Sequence, residues 1–257
     1  MPTFVAADGA ELAYTDLGPR GTIPLLFLHG WQGDSGTWLP VMERLAARHR
    51  TVALDLRGFG RSNAAPGPYT VETFADDLSA LIAALDLDPL VAIGHSMGAA
   101  VAQRFAVDRP DAIEGLVLVS PVPASGATYS ARTAEMFRST AGNALNANAW
   151  LAQLTYRQPP SDVVAMMRRA AAAAPAPVVL ESFDSWTQLD FAADAATIET
   201  PTLVLAPEHD RPEFARAKVA DLIAGSTLEI IPEAAHYVPL ERPGAVADAI
   251  ERFVDAL

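Results

Sequence analysis

Two hydrophobic patterns take turns along the chain. Residues 23–28, 51–56, 90–93, 116–119, 202–206 and 227–231 are short, mostly apolar runs. Near-continuous apolarity, as opposed to strict alternation, is what a strand buried on both faces requires, and it predicts a parallel sheet. Between these runs lie segments of helical spacing over 38–48, 71–85, 99–107, 213–224 and 245–256. Thr70 stands where it can cap the second of these, with Glu72 in its first turn. At the N-terminus, residues 3–7 and 11–15 read as a hairpin closed across Asp8-Gly9, a favoured turn pair. Strand–helix alternation of this kind implies an α/β fold, a mostly parallel sheet covered by helices on both faces.

The rhythm breaks once, over residues 121–200. That stretch has helical composition, including 166–174, and is punctuated by Pro159-Pro160, Pro175 and Pro177. It contains no convincing strand. The expectation is a helical insertion lying over the sheet within a single domain, whose core is formed by residues 1–120 and 201–257. Good helix propensity accounts for the run of five alanines at 170–174.

Composition narrows the possible functions. With 257 residues, 51% of them hydrophobic and 19% charged, the chain can bury a core and is not disordered. Acidic residues outnumber basic ones 31 to 18, a formal charge of −13, which argues against nucleic acid or an anionic membrane as partner. The absence of cysteine excludes disulfides, thiolate catalysis and cysteine-ligated zinc. The N-terminus has no basic segment followed by an apolar run, and no apolar stretch is long enough to span a bilayer, so a cytoplasmic protein is expected. No His-Glu-x-x-His or P-loop is present, and Gly58-Phe59-Gly60 lacks the dinucleotide fingerprint, so neither metal nor cofactor is expected.

The strongest chemical signal is Gly94-His95-Ser96-Met97-Gly98, a G-x-S-x-G pentapeptide after one apolar run and before one helical segment. A sharp strand-to-helix turn needs small residues on either side of the serine. It lifts the hydroxyl clear of the backbone and aims a helix N-terminus at developing negative charge. The competing explanation is a glycine-rich turn with an incidental serine. A serine hydroxyl also needs a base. Of five histidines, His95 adjoins the serine and reads as a packing residue, His29 as loop architecture, His49 as a solvated helix-end residue within Arg48-His49-Arg50, and His209 as diverging from its neighbour Asp210. His236 remains, on a loop after the run ending at Ile231, at the strand end where α/β active sites gather. The orienting carboxylate is expected to be Asp210, just after the run ending at Ala206, with Glu208 as competitor. Asp55 is expected to pair with Arg57 in a structural loop. The order Ser…Asp…His is that of α/β-hydrolases. The backbone N–H groups of Met97 and Trp31 are the candidate oxyanion donors.

His29-Gly30-Trp31, Asp55-Leu56-Arg57-Gly58-Phe59-Gly60-Arg61-Ser62, the pentapeptide, Glu208-His209-Asp210 and Ala235-His236 together resemble the α/β-hydrolase superfamily over nearly the whole chain. The first of these motifs is similar to the corresponding loop of small bacterial arylesterases and cofactor-free perhydrolases. Pro207 stands before Glu208 where that family often has glycine. The resemblance implies an eight-stranded sheet with a helical cap between strands six and seven, and 121–200 falls where that cap belongs. Serine at the nucleophile position disfavours haloalkane dehalogenase and epoxide hydrolase chemistry, for which the resembling pattern has aspartate. Trp31, Phe137, Trp150, Leu154 and Trp186 are the candidate substrate-binding residues, with Met136 and Phe183 the other large apolar side chains of the cap. The expectation is a serine hydrolase acting on apolar small-molecule esters or lactones through an acyl-enzyme. Perhydrolysis, amide or carbon–carbon cleavage by the same residues, and a hydrolase-like ligand receptor, are the alternatives.

Overall fold

The computed structural model describes residues 2–209 and 216–257, with the side chains of 216–218 left aside. Strands β1 (Thr3–Val5), β2 (Glu11–Leu17) and β3 (Leu25–Leu28) come first, then α1 (Leu39–Leu45), β4 (Thr51–Leu54), α2 (Val71–Leu85), β5 (Leu90–His95), α3 (Met97–Asp108) and β6 (Ile113–Val119). Five helices follow without a strand among the described residues: α4 (Ala131–Arg138), α5 (Ala144–Leu151), α6 (Ser161–Ala173), α7 (Ala176–Thr187) and α8 (Ala192–Ala195). The chain then returns through β7 (Thr202–Pro207), α9 (Arg216–Leu222), β8 (Thr227–Ile231), α10 (Val238–Glu241) and α11 (Pro243–Val254). The sheet has eight strands in the order β1-β2-β4-β3-β5-β6-β7-β8. The hairpin β1–β2 and the β2–β4 pair are antiparallel, and every pairing from β4 to β8 is parallel.

The apolar runs are continuous because alternate residues feed two cores. Leu25, Phe27, Val91, Ile93, Val117 and Val119 pack with α1 and α11 through Trp38, Met42, Val246 and Ile250. Their neighbours Leu26, Leu28, Leu90, Ala92, Leu116 and Leu118 face the opposite way, against α2, α3 and the cap helices. Thr70 caps α2, its side chain accepting the Thr73 N–H, and Asp86 ends the helix in the left-handed conformation at φ 53°.

Two local expectations are corrected. Asp55 does not pair with Arg57. The strand stops at Leu54 and the chain turns, so the side chains two apart no longer share a face. Asp55 accepts from the Ser35 N–H at 2.7 Å and from Arg61 Nε at 2.6 Å, whereas Arg57, 1% exposed, forks onto Asp77 at 2.6 and 2.9 Å and reaches Asp8 at 2.7 Å. Burial alone would raise the Asp55 carboxyl, but the hydrogen bonds from Arg61 and Ser35 outweigh it and hold it below the ordinary carboxylate range. Nor is His49 solvated: it is 7% exposed, and burial pushes its imidazole below the ordinary histidine range. Arg50 beside it is buried too, paired with Asp16 at 2.8 Å. A basic triplet at a helix end reads as solvated only if nothing packs over it. Here the end of β2 and α11 close around it, with Arg48 bonding Glu251 and Asp255.

Candidate active site

Ser96 is the single residue between β5 and α3, held at φ 54° and ψ −117°, where a side chain is strained. Three backbone hydrogen bonds fix it there: its N–H donates to Val119 O at 3.0 Å, and its carbonyl accepts from Ala99 and Val122 at 3.0 and 3.2 Å. The flanking glycines are needed for close approach. A Cβ on Gly94 would lie 2.3 Å from Gly98 O, and one on Gly98 would lie 2.4 Å from Leu28 O. The tight packing of α3 onto β5 and β3 therefore depends on both positions.

His236 lies on the loop between β8 and α10, and its Nε2 is 2.9 Å from Ser96 Oγ. Both residues are buried, at 5% and 8% exposure. The loop is braced on several sides. His209 N–H donates to Ala234 O at 3.0 Å, Ala235 N–H to Glu241 Oε2 at 3.0 Å, and His95 Nε2 lies 2.8 Å from His236 O. A carbonyl only accepts, so this nitrogen of His95 carries the proton. Burial, then the field of His236, push His95 down to about 3, so it stays neutral and works as a brace. Its ring lies beside that of His236, with centroids 5.0 Å apart.

His29 plays the corresponding part for the opposite loop. Its Nε2 accepts the Leu56 N–H at 3.0 Å, which fixes the tautomer, and its Nδ1–H donates to Gly30 O at 2.8 Å. The same carbonyl accepts the Gly33 N–H at 3.0 Å. Gly30 packs straight onto the serine: a Cβ there would lie 3.1 Å from Ser96 Cβ. Next to it, Trp31 Nε1 donates to Val179 O and Ser182 Oγ, both at 3.1 Å, and Gln32 Nε2 donates to Thr140 Oγ1 at 2.7 Å. The loop is thus tied to α7 and to the connection between α4 and α5. Among the described residues, no protein acceptor takes up the backbone N–H of Trp31 or of Met97.

A cavity of about 30 Å³ opens onto Ser96 and His236. Trp31, Phe137, Trp150, Leu154 and Trp186 all line it, together with Gln32, Ala147, Leu151 and Tyr237, which the sequence reading did not single out. Phe137 sits at the centre of the aromatic cluster, its ring centroid 4.5 Å from Trp150, 5.6 Å from Trp31 and 5.9 Å from Trp186. Phe183 packs behind this cluster, 5.2 Å from Trp186. Asp210 lies outside the described residues. Its competitor Glu208 is half-exposed, accepts the Glu233 N–H at 3.0 Å and lies 3.4 Å from His209 Nε2. Glu241 was not foreseen. Its carboxylate joins the Ala235 N–H to the Tyr156 N–H of the cap at 2.5 Å, and burial pushes it above the ordinary range. Only its distance of five residues from His236 could have pointed to it.

The geometry can be set beside known proteins. A family model described as alpha/beta hydrolase fold matches residues 23–243. A non-heme chloroperoxidase of Streptomyces lividans is 39% identical over 125 residues, 48% of this chain; the match spans only 45% of that protein's length. A bifunctional esterase/perhydrolase of Acinetobacter calcoaceticus is 27% identical over 93% of this chain and 94% of its own. The solved structure of a thermophilic esterase from Thermogutta terrifontis superposes with a TM-score of 0.82 at 28% identity, covering 99% of this chain and 98% of that one.

Proposed function

The chain belongs to the α/β-hydrolase family, and on that footing we propose that it is a serine hydrolase of carboxylic esters and lactones, working through an acyl-enzyme. The observation that carries this reading is the 2.9 Å hydrogen bond between His236 Nε2 and the hydroxyl of a serine held strained at a strand-to-helix turn. Ser96 Oγ attacks the acyl carbon while His236 Nε2 takes its proton. Charge developing on the acyl oxygen is met by the N–H groups of Trp31 and Met97, which no protein acceptor engages among the described residues, and by the N-terminus of α3. Collapse of the tetrahedral adduct expels the alcohol, which receives the proton from His236. Water then enters, is deprotonated by His236, and releases the acid by the reverse path. Asp210 is assigned the orienting role. Glu208 is less suited to it, since its carboxylate is half-exposed and already accepts from Glu233.

The apolar, aromatic walls favour uncharged groups of small to medium size. Similarity over nearly the full length to an esterase that is also a perhydrolase supports hydrogen peroxide as a second acyl acceptor at the same site. The test is covalent labelling with a fluorophosphonate, which mimics the acyl centre. Mass spectrometry is expected to place the adduct on Ser96, and Ser96→Ala to abolish both labelling and ester turnover. Asp210→Asn is expected to slow turnover by about 10⁴-fold, as in serine proteases, and far more than Glu208→Gln. Labelling at another serine with activity intact overturns the assignment. A folded protein that binds esters without turning them over favours the receptor alternative.

A further inference from the structure

The space beside Ser96 is too small for the substrates proposed for it. A cavity of about 30 Å³ has room for a water or two, whereas sites that enclose a small organic ligand run to roughly 300–1,000 Å³. A second cavity, of about 460 Å³, lies within the cap. It has an apolar wall of Leu151, Val164 and Met167 and a polar rim that includes Gln158 and Arg168, and among the described residues no acidic side chain lines it. Among the described residues, Leu151 is the one side chain that lines both spaces. The helical repeat explains why. On α5 and the turn after it, Ala147, Trp150 and Leu154 face Ser96, while Asn148, Ala152 and Thr155 face the larger cavity. Leu151, at the last position of α5, falls on the boundary.

The far side of the larger cavity is fastened to the core. Tyr156 stacks on His209 with centroids 4.2 Å apart, its N–H donates to Glu241, and Arg157 pairs with Glu233 at 3.0 Å. Movement that joins the two spaces therefore falls to the side chain of Leu151, which is held by apolar packing alone.

We infer that the 460 Å³ cavity is the distal half of the substrate site and that Leu151 is the gate between it and Ser96. It takes the apolar chain of a medium-chain ester or an alkyl-substituted lactone, whose far end meets the polar rim. This inference rests on the hydrolase reading above and names its substrate class. The gate is a specificity residue with a signed effect. Leu151→Ala merges the spaces, and Leu151→Phe thickens the partition.

The experiment is kcat/KM for p-nitrophenyl acetate and p-nitrophenyl octanoate with wild type and both variants, each first shown to be folded by circular dichroism and thermal melting. A parallel series measures the rate of Ser96 labelling by methyl- and octyl-phosphonofluoridates, which does not depend on turnover. The octanoate-to-acetate ratio is expected to rise several-fold in Leu151→Ala and to fall several-fold in Leu151→Phe, with labelling following the same order. A ratio that stays within about twofold of wild type in both folded variants, or moves the same way in both, overturns the gate while leaving the hydrolase reading in place. If folded wild type shows neither ester turnover nor labelling at Ser96, the hydrolase reading falls, and the inference with it. Should one variant fail to fold, Met167→Trp, which fills the larger cavity from its other wall, is expected to lower the ratio, and an unchanged ratio there also overturns the proposal.

Discussion

Ser96 offers an unusually direct measurement of backbone strain, because two substitutions that both remove its hydroxyl differ in whether they keep a Cβ. At φ 54° and ψ −117° a residue with a side chain is strained by about 1–3 kcal/mol. Ser96→Ala retains that strain and loses the 2.9 Å bond to His236. Ser96→Gly loses the same bond, relieves the strain, and costs only about 0.5–1 kcal/mol in unfolded-chain entropy. The lost hydrogen bond cancels in the comparison. Glycine is therefore expected to be more stable than alanine at this position by up to about 2.5 kcal/mol, about 1.25 kcal/mol at the middle of both ranges. For a chain of this size that middle value separates the melting temperatures by about 3–5 °C. Urea denaturation of the two variants, compared at equal m-values, gives the difference directly. The exposed Ala83 of α2 provides the reference, where alanine to glycine is expected to destabilise by about 1 kcal/mol. If Ser96→Ala proves more stable than Ser96→Gly, the turn is not strained.

Three further predictions concern the scaffold. Gly98→Ala would put a Cβ 2.4 Å from Leu28 O and 2.6 Å from His29 O; it is expected to displace α3 from the sheet, and loss of Ser96 labelling with a lowered melting temperature checks it. Arg57→Leu strands Asp77, 3% exposed, as an unpaired buried charge and is expected to destabilise by about 3–5 kcal/mol; adding Asp77→Leu is expected to restore much of the loss, measured by a double-mutant cycle. Burial holds His29, His49 and His95 below the ordinary histidine range, His95 at about 3. The unfolded chain then binds more protons than the folded one below about pH 6.5, so stability is full above that pH and falls as pH drops through it, by up to about 1.4 kcal/mol per unit for each histidine. Urea midpoints between pH 7 and 5 are expected to decline, and less steeply in His49→Phe; a flat wild-type profile would contradict the burial.

Much of the fold was legible because the central strands β3 to β7 are buried on both faces and so appear as unbroken apolar runs. Residues 71–85 and 227–231 match α2 and β8 to the residue, although β8, at the edge of the sheet, leaves Leu228 and Ile230 exposed and is not buried on both faces as its apolar run predicts. The serine turn was legible because its pentapeptide sits between an apolar run and a helical segment, and Gly94 is dictated by Gly98 a few residues on, although Gly98 itself is required by the distant carbonyls of Leu28 and His29. What escaped depended on partners distant in sequence. Arg57 meets Asp77 and Asp8, not the adjacent Asp55, and His49 is covered by elements that no local pattern joins to it. The aromatic residues expected around the site do surround it, since a cap must turn its large apolar side chains inward. Leu151 did not stand out, because its position at a boundary between two spaces has no signature in composition or periodicity.

The three hydrogen bonds from Trp31 and Gln32 to Val179, Ser182 and Thr140 bear on how this protein can be recombined. Grafting a foreign cap between β6 and β7 to change specificity would remove the acceptors that hold the loop beside Ser96. A chimera whose foreign cap lacks these acceptors leaves two buried donors without partners, at roughly 1–3 kcal/mol each. A workable graft keeps a carbonyl at the position of Val179 and hydroxyls at those of Ser182 and Thr140. The transplantable unit is then the cap together with residues 29–33, and recombination points belong on the β4 side of that loop.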